Sequence, residues 1–200
     1  MYQSQDFFFK KAKEDGYPAR SVYKLMEIDK KYNLFKAGQH ILDLGCAPGS
    51  WALYVSERIK PKGMVMGIDL KDVGITSDNF IFIQFDIFKM EDHQLIEFMN
   101  KNNFGPKIDG LISDMAPSTS GVRALDAGRS AQLAERALAL SNLLLKQGGF
   151  LILKILEGGE HDLVWRQIKD VFSFQKQIRP KAVRRNSREI YIIANGFKGN

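Results

Sequence analysis

Gly45 and Gly49 fall in the stretch DLGCAPGSW, residues 43–51, directly after the aliphatic pair Ile41 and Leu42 and ahead of an amphipathic run over 52–59. Glycine permits a sharp turn and a close approach of backbone to a ligand, and Pro48 stiffens the turn before a helix expected to begin near Ser50. In an open α/β sheet, such a junction is where a nucleotide-like ligand sits. The loop reads G-x-x-x-G with Ala47 and Pro48 inside it, and lacks the third glycine of the G-x-G-x-x-G pattern that seats a pyrophosphate. Asp69 in GIDL, 24 residues after Gly45, is placed to accept hydrogen bonds from ribose hydroxyls, and Asp86 in QFDIF from an adenine amino group. An adenosine-containing ligand without phosphates points to S-adenosylmethionine. Read alone, the loop also fits a tight structural turn, and Trp51 beside it fits either a pocket wall or a core position.

Four charged residues stand where charge is costly or oddly placed. Lys154, in LKILEG (153–158), has Leu151, Ile152, Leu153 and Ile155 for neighbours. A cation in an apolar strand costs several kcal/mol unless it is paired or faces a cleft. Asp114, in SDMAP (113–117), closes another apolar run just before a turn proline, at the ligand edge of the sheet. Lys24 lies on an early amphipathic helix in RSVYKLMEI (20–28), and Glu189 at the entry of the last strand in SREIYIIA (187–194). Taken singly, Lys24 and Glu189 read as ordinary surface charges. Lys154 and Asp114 depart further from that reading, because in-strand and strand-end charges are rarer.

The elements that would position these residues follow from alternation along the chain. Short aliphatic runs recur at 40–44, 64–68, 80–85, 108–113, 150–155 and 189–194, with helical patterns between most of them, the clearest over 130–146 and stopped by Gly148-Gly149. Strands alternating with helices imply a parallel, doubly wound sheet with helices on both faces. The last two strands, near 171–178 and 189–194, leave no room for a crossover helix and predict an antiparallel C-terminal hairpin with a long basic loop. A chain of 200 residues that is 44% hydrophobic suits one domain over residues 1–200, with a basic helical segment at 6–33 packed on it.

Composition narrows the class further. No run is long and apolar enough for a membrane span and the N-terminus lacks a signal-peptide core, so an intracellular location is expected, cytoplasmic or, in a eukaryote, organellar or nucleolar. A single cysteine, Cys46, and the scattered His40, His93 and His161 predict neither an internal disulfide nor a metal site. The net charge is +6, but residues 10–24 carry five basic and two acidic side chains and residues 176–190 carry six and one, so the remaining chain is slightly acidic. Brought together by the fold, Lys10, Lys11, Lys13 and Arg20 with Arg179, Lys181, Arg184, Arg185 and Arg188 would form one phosphate-facing, RNA-binding surface. The alternative is a solvated, solubilising face.

The motifs YPARSVYKLMEI, DLGCAPGSW, GIDL, SDMAPSTSG, LKILEG and SREIYIIA, in that order, resemble the FtsJ/RrmJ-like ribose 2′-O-methyltransferases over nearly the whole chain, from about residue 7 to residue 195. The departures are small: Cys46 stands where alanine is frequent, and Leu156-Glu157 replaces the commoner Phe-Gln. The resemblance implies a Rossmann-like, S-adenosylmethionine-dependent methyltransferase fold with a mostly parallel seven-stranded sheet. It also implies that Lys24, Asp114, Lys154 and Glu189 form the family's Lys-Asp-Lys-Glu tetrad.

In the implied reaction a ribose 2′-hydroxyl, a weak nucleophile, attacks a sulfonium methyl in line. Lys154 is the expected base, which requires a pKa lowered from about 10.4 by burial and a second cation such as Lys24, while Asp114 and Glu189 orient the lysines and the hydroxyl. Within the family, the SDMAPSTSG and C-terminal segments look closer to the ribosomal branch. The implied substrate is a uridine of large-subunit rRNA, gripped by a monomeric catalytic domain and presented in a ribosomal particle. A tRNA or cap ribose methyltransferase, a non-catalytic ribosome-assembly RNA-binding factor, and a nicotinamide-dependent oxidoreductase are the alternatives.

Overall fold

The computed structural model describes residues 3–184 and 186–199, with side chains from residue 7 onward. Two helices, α1 (Gln3–Glu14) and α2 (Val22–Tyr32), precede β1 (His40–Leu44), α3 (Ser50–Arg58), β2 (Met64–Asp69), β3 (Phe80–Gln84), α4 (Asp92–Lys101) and β4 (Ile108–Ser113). Then follow α5 (Arg123–Leu144), β5 (Leu145–Leu156), α6 (His161–Val171), β6 (Phe172–Ile178) and β7 (Glu189–Phe197). The strands form one seven-stranded sheet in the order β3-β2-β1-β4-β5-β7-β6. β7 runs antiparallel to both of its neighbours, and the pairings among β1 to β5 are parallel.

Strand alternation divides the core between two faces. Leu42, Leu44, Leu111, Leu151 and Leu153 point toward α4, α5 and α6. Ile41, Ile112, Phe150, Ile152 and Ile193 point toward α2 and α3, where Leu25, Ile28, Trp51 and Val55 cover them. α1 docks on the start of α2 through a smaller cluster of Ala12, Val22, Tyr23 and Ala182.

Three boundaries differ from the sequence reading. α5 begins at Arg123 and ends at Leu144, so Lys146 belongs to β5 and the Gly148-Gly149 pair lies inside a strand. The start is held by Asp126, whose carboxylate accepts the backbone N–H and the hydroxyl of Ser120. The stop comes early because Leu145 is already extended and pairs with Ile108, with a register irregularity absorbing the glycines. β3 ends at Gln84, which leaves Asp86 in the following turn, its carboxylate accepting the N–H of Phe88.

A buried carboxylate ties α2 to α3. Asp29 Oδ2 accepts the Tyr54 hydroxyl at 2.7 Å and pairs with Arg58 Nε at 3.2 Å, while Oδ1 accepts the N–H groups of Leu34 and Phe35. Asp29→Ala leaves several buried donors unsatisfied, and we expect a loss of about 2–4 kcal/mol, read from urea denaturation. A change below about 0.5 kcal/mol would mean that these bonds do not hold the two helices together.

Candidate active site

On the α2–α3 face, alternation carries apolar residues at mid-sheet into polar ones at the carboxyl rim: Ile41 leads to Asp43, Ile112 to Asp114, and Phe150 and Ile152 to Lys154. Because β7 runs the opposite way, its entry lies at that same rim, where Tyr191 pairs with Lys154 and Glu189 with Leu156. Lys24 reaches the rim from α2. Lys24 Nζ donates to Glu189 Oε2 at 2.7 Å and to the Tyr191 hydroxyl at 3.0 Å. That hydroxyl donates to Asp114 Oδ1 at 2.7 Å, and Lys154 Nζ meets the same oxygen at 3.0 Å while also donating to the Asp114 carbonyl. The four sequence-predicted residues are thus joined into one chain of bonds by Tyr191.

Tyr191 is the residue that sequence reasoning missed. It is fully buried, and the ring of Trp51 packs on it at 5.9 Å between centroids. Trp51 accordingly lies in the core, its indole N–H donating to the Ser21 carbonyl, and not in a ligand pocket. Burial first, then the charges of Asp114 and Glu189, push the Tyr191 phenol well above its usual value, so it remains a proton-bearing donor. Burial pushes the Asp114 carboxyl up, but Lys154, Lys24 and the bonds from Tyr191 and Lys154 outweigh it, and Asp114 ends below the usual carboxylate range. Asp114 is therefore ionised at neutral pH.

Asp43 completes a row of acids at the ends of β2, β1 and β4. It is fully buried, and neither of its carboxylate oxygens has a hydrogen-bond partner among the described residues. Burial, reinforced by Asp114 and Asp69, raises its pKa well above the ordinary value. The unfolded chain ionises Asp43 near pH 4 whereas the folded chain resists, so this group costs progressively more stability as pH rises above that point. Asp43→Asn removes the cost. The melting temperature of the variant relative to the parent should climb by a few degrees between about pH 5 and about pH 8; parallel curves would mean that Asp43 is ionised in the fold.

A cleft of about 520 Å³ opens beside this row. Of the residues expected to hold a cofactor, Gly45, Ala47, Asp69, Asp86 and Asp114 line it, joined by Ile68, Phe85, Phe88 and Met115; Pro48, Gly49 and Trp51 do not. Gly45 has φ of +75°, and a Cβ there would lie 2.9 Å from the Met115 Cα, so only glycine lets the β1 loop and the SDMAP segment close on each other. Gly49, at φ +107°, shapes the turn into α3, where a side chain would strike Ile75. Asp69 holds the loop as well as facing the cleft: Oδ2 accepts the Ala47 N–H and Oδ1 that of Lys71, each at 2.9 Å. Asp114 belongs to both the cleft and the bonded chain.

The two basic segments come together. Arg20 donates to the Ala182 carbonyl at 2.8 Å, Ala12 packs on Ala182, and the Lys181 N–H reaches Glu27 on α2. Lys10, Lys13, Arg179, Lys181 and Arg184 are exposed around this junction. Lys11 is half-buried and paired with Asp15. Arg188 spends its guanidinium on the carbonyls of Glu157 and Arg123, and Arg179 on those of Arg184 and Ser187, so both arginines also brace the loop. Arg185 lies outside the described residues. No described helix is long and apolar enough to cross a membrane.

Comparison with known proteins places this geometry. A family model described as FtsJ-like methyltransferase matches residues 17–197. The chain is 44% identical to the ribosomal RNA large subunit methyltransferase E of Desulforapulum autotrophicum, over 98% of this chain and 94% of that one, and 41% identical to its namesake in Borrelia duttonii, over 98% of each. Among solved structures, a ribosomal RNA methyltransferase from Plasmodium falciparum superposes with a TM-score of 0.80 at 32% identity, covering 92% of this chain and all of that one. Fibrillarin from Aeropyrum pernix, at 18% identity and a TM-score of 0.57, shares the fold. With Lys24, Asp114, Lys154 and Glu189 bonded through Tyr191 at the rim of a seven-stranded sheet, the chain belongs to the FtsJ-like methyltransferase family.

Proposed function

We propose that the chain transfers a methyl group from S-adenosylmethionine to the 2′-hydroxyl of a uridine in large-subunit ribosomal RNA. The observation that carries this reading is Asp114, which lines the cleft and closes the Lys24–Tyr191–Asp114–Lys154 chain of bonds. The cleft residues fit the cofactor chemically: a row of carboxylates suits a ligand bearing a sulfonium and an ammonium, and Asp69 and Asp86 offer acceptors to ribose hydroxyls and an adenine amino group. When bound, S-adenosylmethionine supplies an electrophilic methyl group. Lys154 Nζ, 6% exposed as a residue and aimed by Asp114, acts as base once it has released its own proton: the neutral amine takes the 2′-hydroxyl proton as the oxygen attacks. Asp114 then holds the resulting ammonium, and Lys24 with Glu189 fixes the outer side of the ribose.

RNA is gripped by the surface made of α1, the start of α2 and the β6–β7 loop, with Pro117, Ser118 and Arg129 on the other side of the cleft. The relatives named for large-subunit RNA support the ribosomal substrate, and presentation in an assembled particle to a monomeric enzyme is part of the same proposal. The test is methyl transfer from labelled cofactor to large ribosomal subunits taken from cells lacking this activity, beside free rRNA and tRNA. Labelling confined to large-subunit rRNA is expected; labelling of tRNA alone would overturn the substrate assignment. Charge reversal at exposed Arg184 should weaken RNA binding and lower the slope of log affinity against log salt by about 1, with cofactor affinity unchanged. An unaltered salt slope would remove Arg184 from the phosphate contacts.

A further inference from the structure

α1 carries three consecutive phenylalanines, and two of them are turned to solvent: Phe7 is 60% exposed and Phe9 48%. A row of apolar rings kept in water on a basic helix calls for a use. The inner ring, Phe8, is fixed between Tyr23, 5.5 Å away between centroids, and the Arg20 guanidinium at 5.8 Å. Phe7 rests edge-on against it at 5.5 Å and 74°, so its outer face is held in place from behind. Lys13 already stands over the Phe9 ring at 5.0 Å. Arg20 stands four residues ahead of Lys24 at the entry to α2 and donates to the Ala182 carbonyl, and Lys24 pairs with Glu189. A path of aromatic and cationic groups thus runs from Phe7 to the tetrad.

From this arrangement we infer that Phe7, backed by Phe8 with Arg20 over that inner ring, is a stacking platform for an unpaired base of the RNA strand, close to the nucleotide being methylated. This rests on RNA being the substrate, as proposed above. Charge complementarity selects the occupant: exposed Lys10 stands one helical turn from Phe7, Arg20 lies over the backing Phe8 ring, and exposed Arg184 adds to the same basic face, which suits a polyanion threading past with its bases splayed. A ribose 2′-hydroxyl can be presented to Lys154 only if the strand is held open, and an aromatic face beside a cationic track does that without reading sequence.

Methylation kinetics on large ribosomal subunits, binding of short oligouridylate, and calorimetry with S-adenosylmethionine test the platform in one set of variants. Phe7→Ala should raise KM for the particles and Kd for oligouridylate about tenfold, leaving kcat and cofactor affinity near parental values. Phe7→Trp should restore both, because it keeps a π-face, and Phe7→Leu should not. Rescue by leucine equal to that by tryptophan would reduce Phe7 to apolar packing and overturn the inference, as would an unchanged KM and Kd in Phe7→Ala. A parent chain that sediments as a dimer and becomes monomeric on Phe7→Ala would assign the ring to a second copy instead. Failure of the parent itself to bind or methylate any RNA would defeat the underlying RNA reading, an outcome distinct from a loss confined to the Phe7 variants.

Discussion

Lys154→Ala should lower turnover by a factor on the order of 100 or more while cofactor and RNA affinity stay close to those of the parent, since removal of a general base typically costs that much in the chemical step alone. Lys154 has few other duties: among the described residues its Nζ contacts Asp114 alone, and its stem lies within β5 between residues that the strand would keep in any case. Lys154→Arg discriminates between a base and a mere positive charge. A guanidinium stays protonated and cannot take the hydroxyl proton, so arginine should be almost as damaging as alanine. Near-normal turnover in the arginine variant would show that only charge is needed there and that the proton leaves by another route. Single-turnover rates with bound cofactor separate these outcomes from any effect on binding.

Asp114→Ala should be at least as damaging, and in a different way. Its carboxylate is the shared acceptor of Tyr191 and Lys154 and also part of the wall of the cleft proposed for the cofactor. Removing it leaves the Tyr191 hydroxyl without its acceptor and a buried lysine with a backbone carbonyl alone. We expect turnover to fall by a factor on the order of 100 or more and cofactor affinity to fall about tenfold, whereas Lys154→Ala spares the cofactor. Equal cofactor affinities for the two variants would mean that Asp114 faces only the lysines.

Much of this was legible in the sequence, and what was not has a physical reason. The apolar runs marked six of the seven strands, the stretch near 171–178 gave β6, and Lys154 and Asp114 were conspicuous because a charge in or at the end of a strand needs a partner. Tyr191 was not, since an aromatic in a strand reads as core, and its bridging role depends on β5 and β7 pairing so that Lys154 faces it. The signal available was its spacing: two residues after Glu189, it must share that residue's face of β7. Asp43 reads as an ordinary turn-capping acid, and only burial against Asp69 and Asp114 sets it apart. Trp51 could have faced the cleft or the core; the direction of α3 decides for the core. The α5 boundaries depended on Asp126 and on a strand beginning one residue after the helix, neither of which has a periodic signature.

On the proposed function, this bonded chain of side chains directs methylation to a ribose hydroxyl and not to a base. Alkali cleaves RNA through an ionised 2′-hydroxyl, so a methylated ribose protects the bond that follows it. Large ribosomal subunits labelled by this chain from methyl-labelled cofactor, then hydrolysed with alkali, should yield the label in alkali-resistant dinucleotides, and none when Lys154→Ala replaces the parent. Recovery of the label in mononucleotides would place the methyl group on a base and rule out the ribose hydroxyl as the target.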